Sequence, residues 1–467
     1  MNPSSNDTIC AIATAPGGAI GIIRVSGPDA IRITDRLFVP GRSGKPLSQR
    51  ASHTLAFGNI VNPAGETIDE VLVGIFRSPH SYTGEDCTEL SCHGSTYVLQ
   101  QIMQLLVGQG CRTAQPGEYT QRAFLNGKMD LSQAEAVADL IASTSAATHR
   151  LAVNQMRGGF SKELHHLREQ LIHIASLMEL ELDFSDHEDL EFADRSELSK
   201  LAAQIEARLS GLVQSFHWGN ALKNGIPVAI IGETNVGKST LLNALLGEER
   251  AIVSDIHGTT RDVIEDTVNW DGITFRFIDT AGIRQTDDTI ENIGIERTYQ
   301  KLDKADIVLW MMDCTTALFQ WATLSEQLLP RCEGKQLLLL LNKADLLPPS
   351  QAEELARLFK QEAFPTLFIS AKDKHTLQPL RDQLLQMGVL PQFAQEEIVV
   401  TNLRHYEALS HALDAIHRVQ DGLHSQLSGD LISQDLRECT YHLGSIIGEI
   451  SSSDILESVF SRFCIGK

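Results

Sequence analysis

The residues with the clearest chemical use form a glycine-rich loop near the middle of the chain. Gly232 is followed by four residues and then by Gly237-Lys238-Ser239, which is the spacing of a phosphate-binding loop. In such a loop, backbone N–H groups and the N-terminus of the next helix surround phosphate oxygens. Lys238 is expected to reach the β- and γ-phosphates, and the Ser239 hydroxyl to bind Mg²⁺. The spacing therefore predicts a nucleotide-binding site.

The segments around this loop have the composition of elements that would hold it. Residues 226–231 form an unbroken apolar run, which predicts a buried strand, and LLNALLG after the loop predicts a helix. A second predicted strand, 274–278, ends in Asp279-Thr280-Ala281-Gly282. An Asp at that strand end can hold Mg²⁺, and the N–H of the following glycine can sense a γ-phosphate. The loop thus has the surroundings that a nucleotide site requires.

Two further strand ends predict which nucleotide is bound. Asn342-Lys343-Ala344-Asp345 follows the predicted strand 335–341 and resembles the guanine-reading box of the GTPase superfamily. An Asp carboxylate that accepts two N–H bonds from guanine leaves those partners unpaired with adenine. Ser370-Ala371-Lys372 is similar to the last guanine-contacting segment of the same superfamily. Four such boxes in this order predict a GTPase domain.

The composition is that of a globular protein without a membrane-spanning segment. The 467 residues suffice for about three domains, and 42% hydrophobic with 21% charged residues is ordinary for a globular protein. We find no run of eighteen apolar residues and no secretory signal, and the eight cysteines contain no CxxC pair. Cys87, Cys92 and His93 lack a second ligand pair, so buried structural cysteines are expected rather than a metal site. A cytoplasmic protein with reduced thiols and no membrane partner is the expectation.

The charge balance limits how the chain can meet nucleic acid. It has 39 Lys and Arg against 60 Asp and Glu, a formal net charge of −21. This excess argues against broad, sequence-independent coating of nucleic acid, but it leaves room for a local patch or a second protein.

Changes of pattern along the chain predict its domains. Strand patterns at 19–25 and 70–77 predict an α+β domain at the start, and helical patterns at about 160–182, 196–223 and 402–423 lie on both sides of the glycine-rich loop. Because each helical segment has an apolar face to cover, we expect one helical domain interrupted by the GTPase domain. The pattern at 431–463 predicts helix. The expected division is an α+β domain at 1–118, helices at 119–223, an α/β Ras-like GTPase domain at 224–385 and further helices at 386–467.

Two residues depart from the signalling type of GTPase. Ile283 stands where Ras-like proteins have a glutamine that positions the attacking water, and an isoleucine cannot orient water. Asn235 in the loop offers a carbonyl oxygen, which is a good ligand for a hard cation. Since the sequence identifies no arginine finger, a monovalent cation at Asn235 could supply the missing positive charge.

Several longer motifs reveal a resemblance that covers essentially the whole chain. They are GTTRD at 258–262, ENIGIER at 291–297, SYTGEDCTEL at 81–90, the stretch PGEYTQRAFLNGKMDLSQAEAVADLI at 116–141 and the terminal FCIGK. The chain resembles the MnmE (TrmE) family of tRNA-modification GTPases. GTTRD by itself also occurs in related ribosome-assembly GTPases, whereas its combination with the terminal pentapeptide is highly specific.

The resemblance implies roles for residues of the GTPase domain. K⁺ would be held by Asn235 with Ser254, Ile256 and Thr259, and Mg²⁺ by Ser239 and Thr260. Glu291 would be the catalytic acid that orients water through an intermediary, and Arg261 and Asp262 match positions tied to switch movement and hydrolysis. Without the resemblance, Glu291 reads as a surface charge that opens a helix. The motifs and the resemblance assign GTP binding to Asn235, Val236, Gly237, Lys238, Ser239, Thr240, Ser254, Asp255, Ile256, His257, Gly258, Thr259, Thr260, Asp279, Thr280, Ala281, Gly282, Asn342, Lys343, Ala344, Asp345, Ser370, Ala371 and Lys372.

The resemblance also implies a folate site in the N-terminal domain, which resembles tetrahydrofolate-binding folds and holds the family's homodimer together. Matching residues are Arg24, Glu89, Lys128 and Lys467, and the ligand would be a 5-formyl or 5,10-methylene tetrahydrofolate. Glu89 could accept paired pterin N–H bonds, while Arg and Lys suit the glutamate tail. An ordinary surface or strand-end charge is the alternative for each residue.

The implied function is a K⁺-dependent GTPase that works with the FAD protein MnmG (GidA), in a heterotetrameric or larger complex, on the wobble uridine of certain tRNAs. The product would be an aminomethyl or carboxymethylaminomethyl group at carbon 5, and GTP hydrolysis would drive domain movement. Two alternatives are an RNA-binding ribosome-assembly GTPase switch without a folate site and a GTP-gated helical scaffold.

Some residues depart from the family pattern. Glu233 and Thr234 occupy loop positions where the family usually has a basic or small residue and then proline, so an extra negative charge near the phosphates is expected to weaken nucleotide binding slightly. Lys372 is followed by Asp-Lys-His without the usual glycines. Cys464 in the terminal pentapeptide is expected to be a packed small residue near the folate site.

Overall fold

The computed structural model describes residues 7–15, 17–41, 44–143, 145–183, 195–247, 266–278, 302–359, 364–388, 398–450, 453–461, 463 and 466. Its strands are β1 (Ile9–Ile12), β2 (Ile20–Ser26), β3 (Phe38–Pro40), β4 (Thr54–Val61), β5 (Thr67–Phe76), β6 (Cys87–His93), β7 (Arg112–Thr113), β8 (Ile226–Ile231), β9 (Asp266–Trp270), β10 (Ile273–Phe277), β11 (Ile307–Asp313), β12 (Gln336–Asn342) and β13 (Thr366–Phe368).

The helices of the described residues are α1 (Ala30–Leu37), α2 (Thr96–Gly108), α3 (Glu118–Leu125), α4 (Leu131–Ala142), α5 (Ala146–Met156), α6 (Gly159–Asp183), α7 (Arg195–Asn224), α8 (Lys238–Gly247), α9 (Ala317–Leu328), α10 (Pro349–Phe359), α11 (Gln378–Met387), α12 (Leu403–His424), α13 (Gly429–Ile447) and α14 (Ser453–Phe460). None of them combines the length and the apolar character needed to cross a membrane.

The chain forms two compact units. The first contains the described residues of Met1–Ala142, Leu151–Leu209 and Glu407–Lys467, and the second those of Ser143–Arg150 and Ser210–Tyr406. In sequence, the second unit is therefore inserted between helices of the first.

The first unit contains a seven-stranded sheet in the order β3-β4-β5-β6-β2-β1-β7. Its strand pairs are antiparallel except for β1 and β7, which are parallel. Helix α2 buries Leu99, Ile102 and Leu106, whose spacing places them on one helix face against a core that includes Ile23 and Leu90. This α+β arrangement fixes where the side chains of β2 and β6 lie.

The helices of the first unit bury regular apolar stripes. Leu164, Leu171 and Ile174 are fully buried on α6, and Leu436 and Leu443 are fully buried on α13. The spacing of three or seven residues is that of an amphipathic helix packed along its length. The sequence-predicted helical stretches 160–182, 196–223 and 402–423 correspond to α6, α7 and α12.

The helix predicted over 431–463 is wrong in its continuity, since α13 ends at Ile447 and α14 begins at Ser453. Gly448 follows α13 with a left-handed φ of 85°, and its N–H donates to the Gly444 carbonyl oxygen. A Cβ at this position would lie 2.8 Å from the Phe124 ring and 2.9 Å from the Leu131 Cβ. A glycine is therefore needed both for the backbone conformation and for the close packing, and it terminates the helix.

A buried network of ion pairs connects Asp7, near the N-terminus, to helix α3. Arg122 is 5% exposed and bonds to Asp7, Glu85 and Glu118, with distances of 2.5, 3.1 and 3.0 Å. Arg112 bonds to the same Glu118 at 2.5 Å and to Asp7 at 2.7 Å. Burial raises the pKa of the Glu118 carboxyl, but hydrogen bonds from Arg112, the Gln115 N–H and Arg122 outweigh it and hold that pKa below its ordinary value.

The second unit contains a six-stranded sheet in the order β13-β12-β11-β8-β10-β9, parallel except for the pair β9 and β10. Every residue of β8 is buried, as are all but one of β11 and of β12. Alternate residues of β8 belong to two separate apolar clusters, Val228 and Ile230 to one and Ala229 and Ile231 to the other. Both faces of the sheet are thus covered, which explains the unbroken apolar runs in the sequence.

Candidate functional site

The glycine-rich loop connects β8 to α8 at the carboxyl end of the parallel strands. Gly232 and Gly237 have φ values of 146° and 107°. A Cβ would lie 2.2 Å from the Met311 carbonyl oxygen at Gly232, and 2.4 Å from the Asn342 amide nitrogen at Gly237. The two glycines therefore let the loop pack directly on β11 and on the end of β12.

Lys238 is the first residue of α8 and turns back over the loop. Its ammonium donates to the carbonyl oxygens of Gly232 at 2.8 Å and Glu233 at 2.6 Å. These bonds keep the charge at the mouth of the loop, where phosphate oxygens can accept from the same group. Ser239 is half-buried beside it, and Thr240 is exposed.

Asn342 joins three of the predicted GTP-binding segments. Its side chain is 3% exposed, donates to the Val236 carbonyl oxygen at 2.7 Å and accepts from the Ala371 N–H at 2.9 Å. One buried amide thus holds the phosphate-binding loop, the Asn-Lys-x-Asp box and the Ser-Ala-Lys segment in fixed positions, because either lost bond would leave a buried polar group unpaired.

The rest of the Asn-Lys-x-Asp box forms a tight turn. Lys343 has a left-handed φ of 63° and precedes the 3₁₀ turn Ala344–Leu346, in which Asp345 is exposed. The Lys343 ammonium lies 2.6 Å from the Asp313 carboxylate at the end of β11. Sequence reasoning missed Asp313, although its place at the end of the apolar run IVLWMMD was a usable signal.

The Ser-Ala-Lys segment is closed without the usual glycines. The Ser370 N–H donates to the Thr376 hydroxyl at 2.9 Å, and that hydroxyl lies 2.9 Å from the Ser370 carbonyl oxygen. Ser370 and Ala371 are buried, and Lys372 is exposed. The Thr376 bonds supply the turn that glycines form in the family pattern.

Glu233, the unusual loop residue, directs its carboxylate toward α9. Its oxygen accepts from the buried Gln320 amide at 2.8 Å, and that amide is also 3.0 Å from the Thr316 hydroxyl. The hydrogen bond gives the negative charge a partner outside the loop.

The remaining predicted residues of the GTPase domain lie outside the described residues. They are the segments 254–262 and 279–282 and Glu291, with Ile283 beside them. Their roles in K⁺ binding, Mg²⁺ binding and hydrolysis stay predictions.

In the first unit, the structure brings two of the predicted folate residues together. Arg24 and Glu89 are cross-strand partners on β2 and β6, and their side chains form an ion pair at 2.8 Å. The guanidinium lies 5.6 Å from the ring centroid of Tyr82 and 5.5 Å from that of Tyr119. The Tyr119 hydroxyl donates to the Arg24 carbonyl oxygen at 2.7 Å, and burial raises the pKa of both tyrosines.

Of the other two predicted folate residues, Lys128 lies among the described residues. The Lys128 ammonium donates to the Pro79 carbonyl oxygen at 2.9 Å, in the segment that leads to Tyr82. Lys467 and Cys464 lie outside the described residues, but Gly466 is buried, and a Cβ on it would be 2.5 Å from the Ile12 carbonyl oxygen. Gly466 therefore packs on β1, the neighbour of β2.

Comparisons with known proteins agree over the length of the chain. A family model described as GTP-binding protein TrmE N-terminus matches residues 8–128, and one described as MnmE helical domain matches residues 131–464. The tRNA modification GTPase MnmE of Bacteroides thetaiotaomicron is 65% identical over 466 residues, with 99% of this chain and 100% of that protein covered. The protein of the same name from Flavobacterium johnsoniae is 50% identical, with 99% and 100% covered. Era of Aquifex aeolicus bound to GDP and AlF4⁻ is 29% identical over 40% of this chain and 66% of that chain, with a TM-score of 0.27.

A parallel sheet with a phosphate-binding loop and a guanine-reading box at its carboxyl edge defines a P-loop GTPase, and the relatives identify the chain as a GTP hydrolase. The family is more specific than that class. The chain belongs to the family of tRNA modification GTPases MnmE. The predicted family and the predicted fold class, with an α+β N-terminal domain of the TrmE type and a helical domain interrupted by a Ras-like GTPase domain, are confirmed.

Proposed function

We propose that this chain is a K⁺-dependent GTPase that, with the FAD protein MnmG (GidA), modifies the wobble uridine of certain tRNAs at carbon 5. The observation that carries the proposal is the single buried amide of Asn342, which ties the phosphate-binding loop to two guanine-reading segments in a chain 65% identical to a tRNA modification GTPase. An aminomethyl or carboxymethylaminomethyl group would be added.

In the nucleotide site, each proposed residue has a distinct task. Lys238 binds the β- and γ-phosphates, Ser239 and Thr260 hold Mg²⁺, and Asp345 accepts two N–H bonds from guanine. Asp345 is exposed, so it is accessible to a nucleotide. Asn342 is buried, so its side chain serves to hold the surrounding segments in position.

Asn235 fits a cation ligand. It has a φ of 60° on the exposed side of the loop, and no other described residue hydrogen-bonds to its side-chain amide. Asn235, Ser254, Ile256 and Thr259 would hold K⁺, which supplies positive charge beside the phosphates when bound. Glu291 then orients water, with Arg261 and Asp262 in the switch segment.

The Arg24–Glu89 pair fits one end of a tetrahydrofolate derivative, either the 5-formyl or the 5,10-methylene form. Both bonds from Arg24 go to the same Glu89 oxygen, so the second carboxylate oxygen has no partner among the described residues. The pair is 22% and 32% exposed beside two tyrosine rings, which suits a flat ring with paired N–H donors. Lys128 and Lys467 would meet the glutamate tail.

We further propose the domain division 1–118, 119–223, 224–385 and 386–467, and a cytoplasmic homodimer joined through the N-terminal domains. GTP hydrolysis would drive opening and closing of the GTPase domains within a heterotetrameric or larger complex with MnmG, while the methylene carbon comes from the folate.

The test is mass spectrometry of tRNA nucleosides from cells with and without this gene. We expect loss of the carbon-5 modification at the wobble uridine, and restoration by the unaltered chain but not by Lys238→Ala. The matched control is Lys335→Ala, because Lys335 also donates to backbone carbonyl oxygens but at the opposite end of β12. Unchanged wobble nucleosides in cells lacking the gene would contradict the proposal and favour the GTP-gated helical scaffold.

A further inference from the structure

Lys343 has a backbone conformation that must be held in place. Its φ of 63° is left-handed, a backbone conformation that residues with a side chain rarely adopt. The residue is the N-cap of the 3₁₀ turn Ala344–Leu346, whose Leu346 N–H donates to the Lys343 carbonyl oxygen at 3.0 Å. The conformation of Lys343 therefore sets the direction in which Asp345, two residues later, is presented.

Asp313 provides the contact that holds Lys343. One carboxylate oxygen of Asp313 accepts from the Thr315 N–H at 2.9 Å and from the Thr315 hydroxyl at 2.7 Å. The other oxygen lies 2.6 Å from the Lys343 ammonium. Because Thr315 fixes the plane of the carboxylate, Asp313 can hold the ammonium in one place.

The position of Asp313 in the sheet makes this contact rigid. Asp313 and Asn342 are paired residues at the ends of β11 and β12, and the Cys314 N–H donates to the Asn342 carbonyl oxygen at 2.9 Å. The Asp313 side chain is 16% exposed and that of Lys343 is 36% exposed. The carboxylate is therefore largely shielded from water, whereas the ammonium stays partly accessible to it and to a ligand.

We infer that Asp313 is a positioning residue for guanine recognition, acting through Lys343 to orient the carboxylate of Asp345. The inference rests on the proposed role of Asp345 and adds a residue that the guanine-reading box does not contain. Asp313 does not touch the base. Its loss leaves the phosphate contacts of Lys238 in place and disturbs the contacts to the base edge.

The test compares GTP with ITP, which lacks the 2-amino group that Asp345 would bind. In the full-length chain, Asp313→Asn should raise the Kd for GTP about tenfold and that for ITP about twofold, so the preference for GTP shrinks about fivefold. At saturating GTP, kcat should change by less than about twofold, since phosphate contacts are unaffected. Asp306→Asn, at the other end of β11, is the matched control and should leave both Kd values unchanged.

The Lys343→Met variant and the double variant Asp313→Asn with Lys343→Met complete a cycle. If Asp313 acts through Lys343, the double variant should have the same preference for GTP as Lys343→Met alone. Equal weakening of GTP and ITP by Asp313→Asn, with a lower Tm, would show a merely structural role and overturn the inference. Loss of the preference in Asp345→Asn but not in Asp313→Asn would overturn this inference alone, whereas no change in Asp345→Asn would overturn the proposed guanine contact itself.

Discussion

Different kinds of bond hold the three segments that Asn342 joins in the nucleotide region and the Arg24–Glu89 region of the first unit. In the second unit, a neutral amide, that of Asn342, connects three segments through buried hydrogen bonds. In the first unit, ion pairs connect the segments, namely the Arg24–Glu89 pair and the network around Arg122. Neutral bonds are insensitive to pH, whereas ionic networks lose their partners when carboxylates are protonated. The network around Arg122 should therefore weaken in acid, whereas the hydrogen bonds of Asn342 should not.

The largest effect is expected from Glu118→Gln, which removes one carboxylate from the buried network. Arg122 would keep its charge with fewer partners, at a cost of about 3–5 kcal/mol in the free energy of unfolding of the first unit. Urea unfolding at pH 7, followed by a probe in the seven-stranded sheet, measures this. The exposed Glu353→Gln is the control and should change stability by less than about 0.5 kcal/mol.

The same network predicts the direction of the pH dependence. The folded-state pKa values of Asp7 and Glu118 lie below their ordinary values of 3.8 and 4.5. The stability that they contribute is therefore present above pH 4.5 and is lost as the pH falls through the lower folded-state values. Glu118→Gln should flatten this loss. Equal acid sensitivity of the variant and the unaltered chain would contradict the ionic account of the first unit.

Asn342→Ala tests the neutral side of the comparison and should have the next largest effect. It leaves the Val236 carbonyl oxygen and the Ala371 N–H unpaired, which costs about 2–4 kcal/mol for two buried groups. The loss should be the same at pH 7 and pH 5, and GTP binding should weaken with it. Asn269→Ala is matched, since Asn269 also makes two side-chain hydrogen bonds but in the β9–β10 turn. If both variants lose stability and GTP affinity to the same extent, Asn342 has no special role in joining the three segments.

Glu89→Gln is expected to have the smallest effect on stability. The Arg24–Glu89 pair is partly exposed, so its loss should cost less than about 1 kcal/mol in unfolding. Binding of 5-formyltetrahydrofolate should weaken about tenfold, because a charged acceptor is replaced by an amide. Isothermal titration of the full-length chain measures it, with Glu66→Gln in the β4–β5 turn as control. Unchanged folate affinity would leave the pair as an ordinary cross-strand contact.

The sequence predicts the residues that are close together along the chain better than the contacts between distant residues. The phosphate-binding loop and the Asn-Lys-x-Asp box are recognisable because each is a short pattern of residues directly after a predicted strand. Parallel strands bring their carboxyl ends to one edge of the sheet, so the two motifs are expected to lie together. The bonds of Asn342 join residues 106 and 29 positions apart, and Arg24 meets Glu89 across 65 positions. Only the resemblance to a family, not spacing, could pair such residues.

The end of α13 is a second feature that the sequence pattern does not predict. The apolar rhythm continues through 431–463, but Gly448 ends α13 because Phe124 and Leu131 leave no room for a side chain there. That packing depends on α3 and α4, more than three hundred positions earlier in the chain. A periodic pattern records the apolar face of a helix and carries no information about such a neighbour.

We propose that a potassium ion at Asn235 supplies the positive charge that an arginine finger provides in other GTPases. The most direct measurement is the GTP hydrolysis rate in K⁺ and in Na⁺ at matched ionic strength, for the unaltered chain and for Asn235→Ala. We expect hydrolysis at least about tenfold faster in K⁺ for the unaltered chain, and no difference between the two salts for Asn235→Ala. Equal rates in both salts for the unaltered chain would contradict the account.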